Sequence, residues 1–105
     1  MNEITPRELA ERMKSGNAPI IIDVREPFEY AYAHIEGAQL KPLGEIRSWA
    51  KELDKAQAYV LHCHTGSRSF QAAFLLERMG FKNVGNLVGG IDAWSEDVDP
   101  NVPKY

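Results

Sequence analysis

Ala58-Tyr59-Val60-Leu61-His62-Cys63-His64-Thr65-Gly66-Ser67-Arg68 is the stretch on which the fold turns. Residues 58–62 are mostly large and apolar without polar alternation, the pattern of a strand buried on both sheet faces. The strand runs straight into Cys63. Small residues at 65, 66 and 67 let the backbone curl tightly with its N–H groups inward, forming a nest. A helix is then predicted over 67–79, with Phe70, Ala73, Phe74 and Leu76 facing the core and Gly80 as its left-handed terminator. Nest, helix N-terminus and the Arg68 cation together make a cup that favours an anion. A cysteine at the rim of such a cup has its thiolate stabilised, because dipoles that hold an anion favour S⁻ over SH.

Outward from this loop, strands and helices alternate. Ile4 closes a short strand, and Thr5-Pro6-Arg7-Glu8 reads as an N-cap, a proline at the first helical position and a capping glutamate. That helix should end near Ser15 and Gly16. Ile20-Ile21-Ile22-Asp23-Val24 is a second doubly buried strand, and a helical turn or two is expected around 28–33. Ala38 to Leu40 allows a short strand, after which Leu43, Ile46, Trp49, Ala50 and Leu53 recur at helical spacing and predict one helix over about 43–53. Val84 to Leu87 is a last short strand, Gly89-Gly90 a turn, and 91–95 a short helix carrying Trp94. The pattern implies an α/β, three-layer fold with a mainly parallel sheet, whose ligands sit beyond the carboxyl ends of the strands.

The chain has 105 residues, 44% of them hydrophobic and 26% charged, which fits one domain. About 96–105, with two prolines, is expected to be an extended tail. The formal charge of −3 is interspersed along the chain, so neither nucleic acid nor an anionic membrane is an expected partner. With short apolar runs and no export signal at its start, the chain reads as cytoplasmic. One cysteine makes neither an internal disulfide nor, alone, a zinc site, so Cys63 is either a packing residue or a reactive thiol. The capping, glycine-containing turn after it favours a thiol presented to solvent.

The loop resembles the active-site pattern of the rhodanese family, Cys-x-x-Gly-x-Arg followed by Ser, through Cys63, Gly66, Arg68 and Ser69. The likeness covers nearly the whole chain. Ile21 to Tyr30 resembles the family's first signature and His34-Ile35-Glu36-Gly37-Ala38 its continuation. Gly80-Phe81-Lys82-Asn83-Val84, with Leu87-Val88-Gly89-Gly90-Ile91-Asp92-Ala93-Trp94, resembles its C-terminal pattern. Ala33 and Glu36 depart from the usual Gly and Pro, both outside the loop. The resemblance implies a five-stranded parallel sheet flanked by helices, with Cys63 as a persulfide-bearing nucleophile. The backbone of His64, Thr65, Gly66, Ser67 and Arg68 would then cradle sulfur and oxyanion. Thiosulfate or a persulfide is the implied donor, and cyanide, a thiol or a protein the acceptor; no cofactor is expected.

Other readings stand beside this one. A phosphatase or arsenate reductase would resemble relatives with one residue more between Cys and Arg than the six from Cys63 to Arg68. A non-catalytic interaction module commonly lacks the cysteine. A relay to a small carrier protein keeps the chemistry, and 94–105 resembles the end of rhodanese domains attached to adenylating enzymes. Arg68 in a first helical turn is electrostatically odd and calls for an anionic substrate or a buried carboxylate. Asp23 and Arg25 read as supporting residues in structural ion pairs, with Arg68 the candidate partner of Asp23 and Glu29 or Glu77 that of Arg25. His62 and His64 flank the cysteine, but strand alternation points both away from its face, so no metal site is expected. His34 reads as a hydrogen-bonded structural histidine, and Trp49 and Trp94 as packing residues. Phe28 and Tyr30 are candidates for the mouth of the site.

Overall fold

In the computed structural model, which describes residues 1–105, the β-branched runs become the centre of a sheet. Its strands are β1 (Asn2–Ile4), β2 (Ile20–Asp23), β3 (Gln39–Leu40), β4 (Ala58–His62) and β5 (Asn83–Leu87), in the order β1-β5-β4-β2-β3. Every pairing is parallel. Successive side chains alternate between two cores. Ile22, Val24, Tyr59, Leu61 and Cys63 face one layer, while Ile21 and Val60 face the other. This is why the strands carry no polar alternation: both faces are covered.

The helices α1 (Pro6–Lys14) and α5 (Gly90–Asp97) cover one face, packing Leu9, Ile91 and Trp94 against it. The helices α3 (Ile46–Trp49) and α4 (Ser67–Arg78) cover the other, and α2 (Pro27–Tyr32) follows β2. The cap of α1 is the one its sequence encodes, with the Glu8 amide donating to Thr5 Oγ1 and the Thr5 amide donating to Glu8 Oε1, both at 3.1 Å. Such a cap contributes about 1 kcal/mol. No helix is long and apolar enough to cross a membrane.

Three expectations are corrected. The helix expected over 43–53 is three pieces, α3 flanked by 3-10 turns at Leu43–Glu45 and Ala50–Glu52. Gly44 weakens the first turn, and i to i+3 bonds such as Glu45 N–H to Pro42 O (3.0 Å) tighten both ends. On α4 the core stripe is Ser69, Ala72, Ala73 and Leu76, the i, i+3, i+4, i+7 set, while Phe70 and Phe74 are half exposed. The small residues of that stripe let the helix close on the sheet. Residues 96–105 are not a simple extended tail. α5 runs to Asp97, the amides of Val98 and Asp99 both donate to Trp94 O, and Val102 is buried beneath with its carbonyl accepting from Ser95 Oγ at 2.7 Å.

Chain direction positions the site. From β2 the chain leaves toward β3 on one side, and from β4 toward β5 on the other. The carboxyl ends of β2 and β4 therefore flank the crevice that parallel α/β sheets use for ligands.

Candidate active site

Cys63 lies just past the end of β4, and α4 begins four residues later. Between them Gly66 caps the helix with φ +119°, a conformation that only glycine adopts without strain. The turn brings the Gly66 amide to 3.1 Å and the Ser69 amide to 3.4 Å from Cys63 Sγ, both donating to the sulfur. Ser69 Oγ is also 3.4 Å from Sγ. The N–H groups of Ser67 and Arg68, in the first turn of α4, have no carbonyl one turn back to receive them. The thiol is not at the rim, as the sequence led one to expect, but on the floor of the loop with 1% exposure. Curling the amides around Sγ is itself what encloses it.

The opposite face of the loop explains why the amides turn inward. The carbonyls of Cys63 and His64 accept from the Ile91 and Asp92 amides at 2.9 and 3.1 Å, so the N-terminus of α5 draws the oxygens outward. Close approach is needed for this. At Gly90, with φ +61°, a Cβ would lie 2.5 Å from both carbonyl oxygens. The second glycine of Gly89-Gly90 thus serves the cysteine loop, a role beyond the turn its sequence implies.

Two ion pairs flank the loop; Asp23 and Arg25 take partners other than the candidates their charges suggest, while Arg68 finds the buried carboxylate its position calls for. Arg25 pairs with its near neighbour Asp23, Nε to Oδ1 at 2.9 Å and Nη2 to Oδ2 at 2.6 Å, with both side chains 0% exposed. Burial opposes the Arg25 charge, but the hydrogen bonds to Asp23 and Tyr105 outweigh it and hold the guanidinium more firmly protonated than usual. Arg68 reaches Glu29 in a bidentate pair of 2.7 and 2.9 Å. Glu29 is 6% exposed and Arg68 36%, so this pair forms part of the outer wall. Hydrogen bonding from Arg68, against the cost of burial, lowers the Glu29 carboxyl to about 2. Proximity settles both pairings: the backbone just past β2 turns Arg25 back onto Asp23, and α2 carries Glu29 to the start of α4.

The remaining predicted residues fall in different places. His64 is half-buried at the mouth, while the side chains of Thr65 and Ser67 are exposed. His62 is fully buried, its Nε2 3.8 Å from Asp23 Oδ2 and neither ring nitrogen hydrogen-bonded; burial lowers it to about 4 and keeps it neutral. His34 Nδ1 lies 3.0 Å from Tyr30 O and its ring stacks on Tyr30, so Tyr30 supports His34, while Phe28 stands exposed beside Glu29. Trp49 and Trp94 are buried.

Two contributors went unnoticed in the sequence. Asn86, on β5, accepts from Ser69 Oγ at 2.5 Å and so fixes the hydroxyl beside the sulfur. A buried asparagine in a strand was the available signal. Tyr105 reaches Arg25 Nη1 and Glu29 Oε2 and stacks on His64. Nothing local announces it, since Arg25 is 80 residues away in the chain.

A cysteine sulfur met by two backbone amides, at the strand-to-helix turn of a parallel α/β domain, marks the candidate site, and the chain belongs to the rhodanese-like domain family, whose model matches residues 5–97. It is 40% identical over 104 residues to the probable adenylyltransferase/sulfurtransferase MoeZ of Mycobacterium tuberculosis, covering 97% of this chain and 26% of that protein. This chain therefore spans about a quarter of the length of that relative. It is 35% identical to the putative sulfurtransferase YtwF of Bacillus subtilis, over 95% of this chain and 96% of the relative. Among solved structures, a rhodanese-like domain protein from Staphylococcus aureus superposes with a TM-score of 0.86 at 30% identity, covering 100% of this chain and 99% of the other. Both curated relatives are named as sulfurtransferases, which supports sulfur transfer in general.

Proposed function

We propose that the protein moves a sulfane sulfur from thiosulfate or a persulfide donor to a thiophilic acceptor through a persulfide on Cys63. The observation that carries this is the pair of amides, from Gly66 and Ser69, aimed at Sγ. In the first half-reaction the Cys63 thiolate attacks the outer sulfur of thiosulfate. The S–S bond of the donor breaks, its electron pair leaves with sulfite, and the transferred sulfur remains on Cys63 as a persulfide anion. An acceptor nucleophile then takes the terminal sulfur, and the electron pair returns to the Cys63 thiolate. Neither half-reaction needs a general base.

The amides of the loop stabilise negative charge on either sulfur, a preorganised field that costs no rearrangement during the reaction. Two Arg68 donors are held by Glu29, and the rest of its guanidinium is free to meet the sulfonate oxygens of a donor at the mouth. Asp23 and Arg25 support the site without touching Sγ. Cyanide and small thiols are usable acceptors. A likeness to a putative sulfur carrier protein of Bacillus subtilis, 39% identical over 93 residues, favours a protein acceptor, and a single working thiol suits the reducing cytoplasm.

Incubation with excess thiosulfate should make the intact protein heavier by one sulfur atom, and a reducing thiol should remove it. Cys63→Ser should fold, gain nothing and turn over nothing. A serine variant that still gained the sulfur would overturn the proposal.

A further inference from the structure

Tyr105 satisfies two buried or half-buried ions at once. Its hydroxyl donates to Glu29 Oε2 at 2.7 Å and accepts from Arg25 Nη1 at 2.9 Å. On the Arg25 side, Nε and Nη2 are taken by Asp23 and by Ala33 O, and Nη1 has only Glu29 O, at 3.5 Å, besides the phenol. On the Glu29 side, Oε1 accepts from Arg68 and the Glu26 amide, while Oε2 accepts from Arg68 and Tyr105. A carboxylate has about four acceptor sites, and here all four are filled. Burial and the neighbouring carboxylate raise the phenol above its usual titration range, against the pull of Arg25, so it keeps the proton it donates.

The ring does a second thing. It stacks on His64, the residue after Cys63, with centroids 4.1 Å apart and planes 15° from parallel, and meets Tyr32 edge-on at 6.0 Å. The backbone leading to it is tied down by Val102 in the core and by Lys104 ion-paired with Asp92 and Glu96 of α5. Arg25, Glu29, Arg68 and the Cys63 loop are thus joined through one side chain.

We propose that Tyr105 is a positioning residue for sulfur transfer: by bridging Arg25 to Glu29 and covering His64, it fixes the Arg68 guanidinium where an anionic sulfur donor meets the Cys63 loop. This rests on the persulfide reading of Cys63. Without the phenol, Glu29 has an unfilled acceptor site and room to swing, and Arg68 swings with it. The cation then spends less of its time facing the donor. The loss falls on binding of a sulfonate-bearing donor, because Tyr105 reaches the Arg68 side chain through Glu29 and bonds none of the backbone amides that meet Sγ.

The test compares Tyr105→Phe with the unchanged protein, using thiosulfate and an alkyl persulfide, which carries no sulfonate, as alternative donors, and records melting curves alongside. Tyr105→Phe keeps the stacking on His64 and removes only the bridge. The KM for thiosulfate should rise by about fivefold, the net worth of one ordinary hydrogen bond, with kcat little changed. Loading from the persulfide, which has no sulfonate for Arg68 to meet, should be unaltered. In an Arg68→Ala background the same tyrosine change should add nothing, which separates action through Arg68 from general loosening. An unchanged thiosulfate KM, equal losses with both donors, or full additivity with Arg68→Ala would each overturn the proposal. Failure of the unchanged protein to load sulfur from either donor would instead remove the persulfide reading on which it rests.

Discussion

Asp23–Arg25 and Glu29–Arg68 are both bidentate carboxylate–guanidinium pairs, linked through the hydroxyl of Tyr105, yet they do different work. The first is sealed, with both side chains at 0% exposure. The second is a wall of the mouth, with Arg68 36% exposed. A sealed pair recovers its desolvation cost only if every donor is satisfied, so removing one partner strands a buried charge. A pair at the mouth has water as an alternative partner for its cation, and that cation can also turn to a ligand. Identical chemistry is sealed from solvent in one place and leaves its cation open to solvent in the other, and under the proposed function the open cation is the one that meets the donor.

The largest effect expected from breaking this comparison is on stability. Arg25→Met leaves Asp23 buried without its cation and also strips the carbonyl of Ala33 and the phenol of Tyr105 of a donor. The loss should be about 3–5 kcal/mol, read by chemical denaturation, a large part of the stability of a domain this size. A variant that unfolds at the same denaturant concentration as the parent would erase the distinction between the pairs.

Acid should separate them next. His62, beside the sealed pair, stays neutral in the fold down to about 4, because burial disfavours its charge, whereas unfolded histidine protonates near 6.5. Unfolding therefore takes up a proton between those values, and stability should fall as pH drops from about 6.5 toward about 4, by roughly 3 kcal/mol in all. Glu29 behaves with the opposite charge in a lower window. Its carboxyl is lowered from 4.5 to about 2 by Arg68, so the stability it contributes is complete above 4.5 and is lost as pH falls toward 2. Denaturation curves at stepped pH should show both declines, and His62→Gln should abolish the upper one alone. Survival of the upper decline in that variant would assign it to another group.

The smallest structural effect, with a clear functional one, belongs to Arg68→Ala. Stability should change by about 2 kcal/mol, less than for Arg25→Met, since Glu29 keeps the Tyr105 hydroxyl and the Glu26 amide as donors. For thiosulfate, kcat/KM should fall by about ten- to a hundredfold, the worth of a charged contact to a sulfonate. Steady-state kinetics beside a melting curve decide it. An unchanged kcat/KM would show that the amides of the loop suffice and would return Arg68 to the wall.

Much of the fold and of the cysteine loop was legible because the forces involved act over a few residues. The doubly buried strands at Ile20–Asp23 and Ala58–His62 announce themselves by unbroken β-branched and apolar runs. The start of α4 follows from Gly66 and the small residues around it, which alone permit the turn. The cap of α1 is likewise a four-residue affair. Where the local signal was a spacing rather than a steric requirement, it misled. Phe70 and Phe74 have the hydrophobicity of core residues, but the adjacent stripe of Ser69, Ala72, Ala73 and Leu76 is smaller and lets α4 approach the sheet more closely.

By itself, then, the sequence determined the alternation of strands and helices, the place of Cys63 between β4 and α4, and a turn whose amides converge on one point. Only the tertiary structure decided that the thiol lies on the floor of the loop, that α5 holds the loop's carbonyls through Gly90, and that Arg25 takes Asp23 while Arg68 takes Glu29. It also decided that Tyr105 joins the two pairs. The physical reason is degeneracy: a backbone dihedral has few allowed states and is set by its own residue and its neighbours, whereas any carboxylate satisfies any guanidinium. Which of them meet depends on distances that exist only once the sheet has closed.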